Sequence, residues 1–288
     1  MVLAAEGRLF MVCYNTSQIH ELDPDTGVIL NSFPTPEPCL GEAGLAYGEG
    51  RMFFINGLGT NTVYEISPED GTPINSFAAP PGAGPINGLG FSGDRLFALD
   101  PTNLLMQVLN PNTGEFITAY SIPVFAGGGG CSFAGTRGSF FCSDYNTFPD
   151  PNPIWEFDAI TGDGLGLFNA PELTVIWGLG FSCSRQTLFL GDIVGYRIYE
   201  VNPDNGDVIN SFYSPCGVFI GALAADEYFL PCLVGDANED GVVDALDLQA
   251  EKQIIFGELP PTCGADANED GYTNVLDLVK IKLIIIGS

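Results

Sequence analysis

Five times between residues 23 and 206 the chain repeats one short turn: Asp23-Pro-Asp-Thr-Gly27, Ser67-Pro-Glu-Asp-Gly71, Asn110-Pro-Asn-Thr-Gly114, Asp158-Ala-Ile-Thr-Gly162 and Asn202-Pro-Asp-Asn-Gly206. The closing glycines lie 44, 43, 48 and 44 residues apart, a spacing that matches one blade of a β-propeller. Such a period is a strong constraint, because one unit cannot bury its apolar face alone and must stack on its neighbours. An alternating strand precedes each turn, as in Val63-Tyr-Glu-Ile-Ser67 and Ile198-Tyr-Glu-Val-Asn202. Another follows, as in Val28-Ile-Leu-Asn-Ser-Phe33, and Asn-Ser-Phe returns at 75–77 and 210–212. Proline presets φ and glycine accepts positive φ, so these are tight hairpin connections.

Two further strand types complete the unit. One is rich in small residues: Gly44-Leu-Ala-Tyr47, Gly88-Leu-Gly-Phe91, Gly178-Leu-Gly-Phe181 and Gly221-Ala-Leu-Ala224. It suits the crowded inner position around a channel. The other is an apolar run, opened in three cases by arginine: Arg8-Leu-Phe-Met-Val12, Arg51-Met-Phe-Phe-Ile55, Arg95-Leu-Phe-Ala-Leu99, Thr187-Leu-Phe-Leu190 and Tyr228-Phe-Leu230. Four strands per repeat describe a propeller blade. Residues 219–232 begin one more unit, which predicts five full four-stranded blades plus a partial sixth; a five-bladed ring with an overlapping strand is the alternative. The propeller is assigned to 1–231 and a small helical module to 232–288. Gly127 to Gly130 is no phosphate loop, since neither Lys-Ser/Thr nor a helix follows, and it reads as the loop into the fourth inner strand.

With 9 Lys plus Arg against 36 Asp plus Glu, the net charge is −27, which disfavours nucleic acid and anionic lipid as partners. Only 16% of residues are charged while 45% are hydrophobic, so this is not the composition of an acidic disordered chain. Eight cysteines without metal-ligand spacing point to disulfides and an oxidising compartment. Cys131 and Cys142 flank one turn and are expected to bridge across adjacent strands. Cys13 and Cys39 fall on one propeller face, and the same logic joins Cys216 to Cys232, leaving Cys183 and Cys263 to pair with each other or between molecules. A competing bridge is Cys232 to Cys263. The opening Met1-Val-Leu-Ala-Ala-Glu-Gly7 lacks the basic start and long apolar run of a signal peptide, so either the mature chain starts here or the frame extends upstream. No run approaches a membrane span in length.

The C-terminal residues carry the most specific chemistry. Asp236-Ala-Asn238-Glu-Asp240-Gly-Val242-Val-Asp244-Ala-Leu-Asp247 recurs thirty residues on as Asp266-Ala-Asn268-Glu-Asp270-Gly-Tyr272-Thr-Asn274-Val-Leu-Asp277. Oxygen side chains at positions 1, 3, 5, 9 and 12, the main-chain carbonyl at position 7 and glycine at position 6 form an EF-hand-type calcium loop. Two loops call for two Ca2+. Both end on aspartate where an EF-hand ends on glutamate, and both lead into an apolar helix. In these features residues from about 233 to 287 resemble type I dockerin modules. The resemblance implies a protein partner, cohesin, met by loop positions 10 and 11 and the middle of each helix. Those positions are Ala245, Leu246 and Lys252 in the first repeat and Val275, Leu276 and Lys282 in the second. In the family the loop positions are usually polar, so calcium binding carries over more directly than a standard cohesin partner. The second helix is apolar on more than one face, which suits packing on the propeller or a partner surface.

Catalytic signals are absent from the sequence. His20 is the only histidine, which argues against Ser-His-Asp, Cys-His and His-rich metal mechanisms. No acidic pair stands apart from the turns that already explain it. The blade repeat resembles extracellular propellers with Leu-x-Glu-Ile-Asp-Pro-x-Thr-Gly repeats, among them five-bladed glutaminyl cyclotransferases and related lyases, through blade-building residues alone. The expectation is therefore a secreted, non-catalytic structural protein. Its calcium-loaded module would associate with neighbouring copies, as a filament or other polymer, or with a cohesin-type receptor. The alternative is an enzyme or carbohydrate-binding propeller tethered by its dockerin to a polysaccharide-degrading complex, with a glycan at the channel mouth.

Overall fold

The computed structural model describes residues 7–39, 41, 43–122, 128–144, 153–169, 175–217, 219–227, 234–238, 243–259, 263–268 and 272–287. The chain divides into two compact units, one spanning residues 5–229 and the other built from residue 230 onward.

The first unit is a five-bladed propeller of four-stranded antiparallel sheets. Blade one contains β1 (Leu9–Cys13), β2 (Gln18–Leu22) and β3 (Ile29–Pro34); blade two contains β4 (Gly44–Gly48), β5 (Arg51–Ile55), β6 (Thr62–Ile66) and β7 (Pro73–Ala78). Blade three runs β8 (Gly88–Phe91), β9 (Leu96–Asp100), β10 (Leu105–Leu109) and β11 (Phe116–Ser121). Blade four runs β12 (Gly128–Ala134), β13 (Ser139–Asp144), β14 (Pro153–Asp158) and β15 (Gly164–Asn169). Blade five runs β16 (Ile176–Ser182), β17 (Thr187–Asp192), β18 (Arg197–Val201) and β19 (Val208–Tyr213), and β20 (Ile220–Ala224) follows it. Inner strands are buried along their length, whereas outer strands such as β7 and β11 contain no buried residue. That gradient explains the continuous apolar runs inside and the alternation outside.

The expected partial sixth blade is corrected. Strand β20 pairs antiparallel with β1, with Phe10 opposite Ala224 and Val12 opposite Ala222, and so supplies the inner strand that blade one lacks. Closing the ring pairs an otherwise open row of backbone groups on β1, which a sixth unit would have left exposed. Tyr228 to Leu230 lie outside the described residues. The glycines at 128–130 belong to β12 rather than to a loop. Inner-strand glycines let neighbouring blades meet: a Cβ on Gly88 would lie 2.8 Å from the backbone N of Cys131, and one on Gly178 2.8 Å from that of Leu223.

Ring closure also redraws the disulfides. Cys216 precedes β20 and therefore reaches Cys13 at the end of β1, with Cα atoms 5.7 Å apart. This overturns the pairings of Cys13 with Cys39 and of Cys216 with Cys232. Cys39 is a buried thiol that donates to the Gly41 carbonyl at 3.6 Å, and burial pushes its pKa up. Cys131 and Cys142 are bridged as expected, directly opposite on β12 and β13. Cys183 is buried, with its Sγ 3.0 Å from the Glu227 carbonyl. Cys232 and the side chain of Cys263 lie outside the described residues, and with them the competing bridge.

The recurring turn and the recurring aromatic are two halves of one joint. The turn glycines have φ between 71° and 78°. A Cβ on Gly27, Gly71, Gly114, Gly162 or Gly206 would run into Phe212, Phe33, Phe77, Tyr120 or Phe168 respectively, an aromatic on the outer strand of the preceding blade. Every seam thus seats an aromatic on a glycine. Four seams add an arginine clamp. Arg8 binds Glu21 of its own blade and Glu69 of the next; Arg51 binds Glu65 and Asn112; Arg137 binds Glu156 and Asp204; Arg185 binds Glu200 and Asp25.

After β20 the chain crosses one end of the channel at Glu227. The Glu227 N–H donates to the Tyr47 carbonyl, and its carboxylate accepts from Phe91 N–H at 3.0 Å and Ser132 Oγ–H at 2.9 Å. Its own carbonyl accepts from Gly135 N–H. One fully buried residue following blade one's closing strand therefore contacts blades two, three, four and five.

Candidate metal centre

Among the described residues the second unit holds two α-helices, α1 (Ala245–Ile255) and α2 (Val275–Ile286). Each begins where a calcium-type loop ends, so loop chemistry and helix capping share residues. Asp244 and Asn274, at loop position 9, are the N-caps and accept from Leu246 N–H and Leu276 N–H at 2.7 and 2.9 Å. Asp247 and Asp277, at position 12, complete capping boxes, an arrangement that satisfies otherwise unpaired helix N–H groups.

The position-12 aspartates do more than cap. One Asp247 oxygen accepts from Asn238 N–H at 3.1 Å, and the other from Asp244 N–H at 2.7 Å. In the second loop Asp277 accepts from Asn268 N–H at 3.0 Å and Asn274 N–H at 2.8 Å. Both carboxylates are fully buried, and each gathers positions 3 and 9 around itself. The shorter aspartate thereby ties the loop together, in the same geometry twice.

A carboxylate has about four lone-pair sites, so two backbone bonds leave oxygen capacity facing the loop. Asp236, Asn238, Asp244 and Asp247 in one loop, and Asp266, Asn268, Asn274 and Asp277 in the other, supply only oxygen donors. That set suits a hard cation such as calcium rather than a soft metal. The Tyr272 carbonyl accepts from the Asn274 amide at 3.0 Å. Asp240, Val242 and Asp270 lie outside the described residues.

A small core joins the repeats: Ala237, Ala250, Ile254, Ala265, Ala267 and Ile281 pack together, and Gly235 N–H donates to the Gly264 carbonyl. Glu251 is buried beside this core with neither carboxylate oxygen hydrogen-bonded. Burial, then repulsion from Asp277 and Asp266, raises its pKa to about 7. Nothing in the sequence marks Glu251, because an acid on a helix reads as a solvated face. Superposing the repeats by thirty residues would have exposed it, opposite Ile281.

The expected partner residues are all on the surface. Ala245, Leu246 and Lys252 are exposed in the first repeat, and Val275, Leu276 and Lys282 in the second. Leu246 also borders a groove of about 420 Å³ with Gln249, Gln253 and Leu259. In the propeller, His20 is half-buried with its Nδ1 2.7 Å from Ser32 Oγ, close to the Cys13–Cys216 bridge.

Residues 234–285 match the dockerin type I domain. No curated protein matches the chain. Among solved structures, the chain is similar to glutaminyl cyclase of Myxococcus xanthus, with TM-score 0.53 and 18% identity over 65% of this chain and 76% of that one. A chain of a nidogen/laminin complex gives TM-score 0.55 and 12% identity over 77% and 100%. A Bacteroides caccae protein of unknown function gives 0.50 and 11% over 76% and 98%. At these identities the likeness establishes the fold and not an activity. Among the described residues no helix is long and apolar enough to cross a membrane. A dockerin domain implies calcium binding and association with a cohesin-type protein partner. The duplicated loop-helix geometry and the family match agree: residues 234–285 are a dockerin type I module following a five-bladed β-propeller.

Proposed function

We propose that this chain is a secreted, non-catalytic assembly protein whose dockerin module, holding one calcium ion per loop, docks onto a protein partner outside the cell. The observation that carries the reading is the doubled loop, in which a buried aspartate organises the oxygen donors directly beneath an exposed Ala-Leu or Val-Leu pair. Bound calcium supplies the positive charge that the converging carboxylates require. Asp247 and Asp277 position the donors, and the caps then present residues 245–246 and 275–276 at the head of each helix. Crowded carboxylates repel until neutralised, so ion binding and folding of the module are coupled. At a concentration 100-fold above Kd each ion would add about 2.7 kcal/mol of stability. The two propeller disulfides support an oxidising, extracellular setting.

The partner is either the propeller of a neighbouring copy or a cohesin-type domain. A contact between unlike surfaces of identical copies would propagate into a ring or filament. Electron microscopy of the purified chain in millimolar calcium, with a chelated control and a cohesin binding panel alongside, tests the reading. Polymers or a cohesin complex that disappear on chelation support it. Monodisperse monomers with no cohesin bound, or turnover of a glycan abolished by a channel-mouth mutation, overturn it.

A further inference from the structure

The two repeats of the module differ at an informative buried position. In α2 it holds Ile281, which packs against the first loop: a Cβ on Gly235 would meet Ile281 Cγ1 at 3.5 Å and Val243 Cγ1 at 3.1 Å. Thirty residues earlier, the matching position in α1 holds Glu251. The repeat places it correspondingly against the second loop, and the charges acting on it belong to that loop, Asp277 first and Asp266 next. Its carboxylate is fully buried and both oxygens lack a hydrogen-bond partner. A buried carboxylate without donors is costly, and two neighbouring carboxylates add to that cost. A dication in the second loop offsets that repulsion.

We propose that Glu251, carried on the helix of the first repeat, serves the calcium site of the second loop as a buried counter-charge that strengthens divalent-cation binding there and ties the packing of α1 to that site's occupancy. The inference rests on the calcium reading of the module and adds a direction to it. The first loop faces an isoleucine but has a fourth aspartate, Asp244, where the second has Asn274, so Glu251 brings the second site level with the first in carboxylate count.

Calorimetric titration of calcium into the full chain, freed of metal beforehand, tests this with Glu251→Gln and with Glu251→Ile, which copies the residue at 281. Circular dichroism in saturating calcium verifies that each variant is helical. One binding step should weaken about tenfold, the order expected for loss of one nearby buried charge, while the other stays within twofold. The weakening should persist when the first loop is disabled by Asp236→Ala and vanish when the second is disabled by Asp266→Ala. In chelator, both variants should melt at a higher temperature than the unmodified chain, because the uncompensated charge is gone. Unchanged affinities, equal weakening of both steps, or weakening confined to the first loop would overturn the inference and leave calcium binding standing. An unmodified chain that takes up no calcium would overturn both.

Discussion

Four seams of the propeller and the seam between blades three and four are held together differently. In the four, an arginine at the start of the second strand is gripped by a glutamate of its own blade and reaches the turn of the next. In the remaining seam both halves of that device are missing. Arg95 finds Val108 where the other blades have glutamate, and Ile160 where the next turn offers Glu69, Asn112, Asp204 or Asp25. Its ion pair is with Asp94, at 3.8 Å. The same seam is instead bridged from inside, because the Glu227 carboxylate accepts from Phe91 of blade three and Ser132 of blade four. A rim clamp and a channel bolt are thus two solutions to one packing problem, and the aromatic-on-glycine seat is common to all five.

Breaking the seam where the ring closes should have the largest effect. The Cys13–Cys216 bridge joins residues 203 apart. On loop-closure grounds the double alanine variant should lose about 5 kcal/mol, against about 3 kcal/mol for removing Cys131–Cys142. Denaturant unfolding of the two variants checks the order. Next comes Arg185→Met, which leaves Glu200, whose side chain is only 2% exposed, without its counter-charge and with Thr187 Oγ–H still donating to it. A loss of about 2–3 kcal/mol is expected, below the buried-pair limit because Arg185 is partly solvated. Arg95→Met in the unclamped seam should stay within about 0.5 kcal/mol. Equal losses for the two arginines would show that the clamp does not stabilise the seams that have it.

Much of this was legible in sequence, and the failures share a cause. The blade period, the strand types and both calcium loops could be read because turn stereochemistry and metal coordination demand fixed residues at fixed local spacing. Ring closure could be read only as the alternative, since Gly221 to Ala224 look like the start of a new unit and only the open edge of β1 assigns them to blade one. The error then propagated to Cys13 and Cys216, whose proximity depends on that pairing. The joint between Gly71 and Phe33, and its four equivalents, was visible as two separate repeats but not as one contact. Glu227 and Glu251 were hidden for another reason: an acidic side chain carries no local mark of burial.

Glu227 offers a way to sharpen the comparison by pH. Burial raises its pKa well above the usual carboxylate range, outweighing the bonds from Ser132, Phe91 and Phe133. A group whose pKa is raised on folding contributes stability that is full below its unfolded value, near 4.5, and is lost as pH rises through the folded value. The stability of the unmodified propeller relative to Glu227→Gln should therefore decline from pH 4 upward. Asp23, Asp70 and Asp158 act in the opposite sense, because hydrogen bonds, led by those from Thr26, Thr72 and Thr161, hold their pKa values down. They are common to both proteins and cancel in the difference. Urea midpoints of the pair across pH 4 to 8 decide it, and a difference that grows with pH contradicts the assignment.

The smallest effect tests why the clamp has two parts. Ile160 is 73% exposed, so Ile160→Asp places a carboxylate at the position of Asp25 without opening a cavity. If the second carboxylate alone made the clamp, Arg95 and the new aspartate should couple as strongly as Arg185 and Asp25 do. We expect otherwise: about 1 kcal/mol of coupling for Arg185 with Asp25, and under about 0.3 kcal/mol for the new pair, in parallel double-mutant cycles. Arg185 is already oriented by Glu200, so little side-chain entropy is lost when it reaches across the seam. Arg95 has Val108 beneath it and would have to be fixed and paired in the same step. Comparable coupling in the two cycles would place the clamp's strength in the inter-blade contact, whereas the expected gap would place it in the glutamate that aims the arginine.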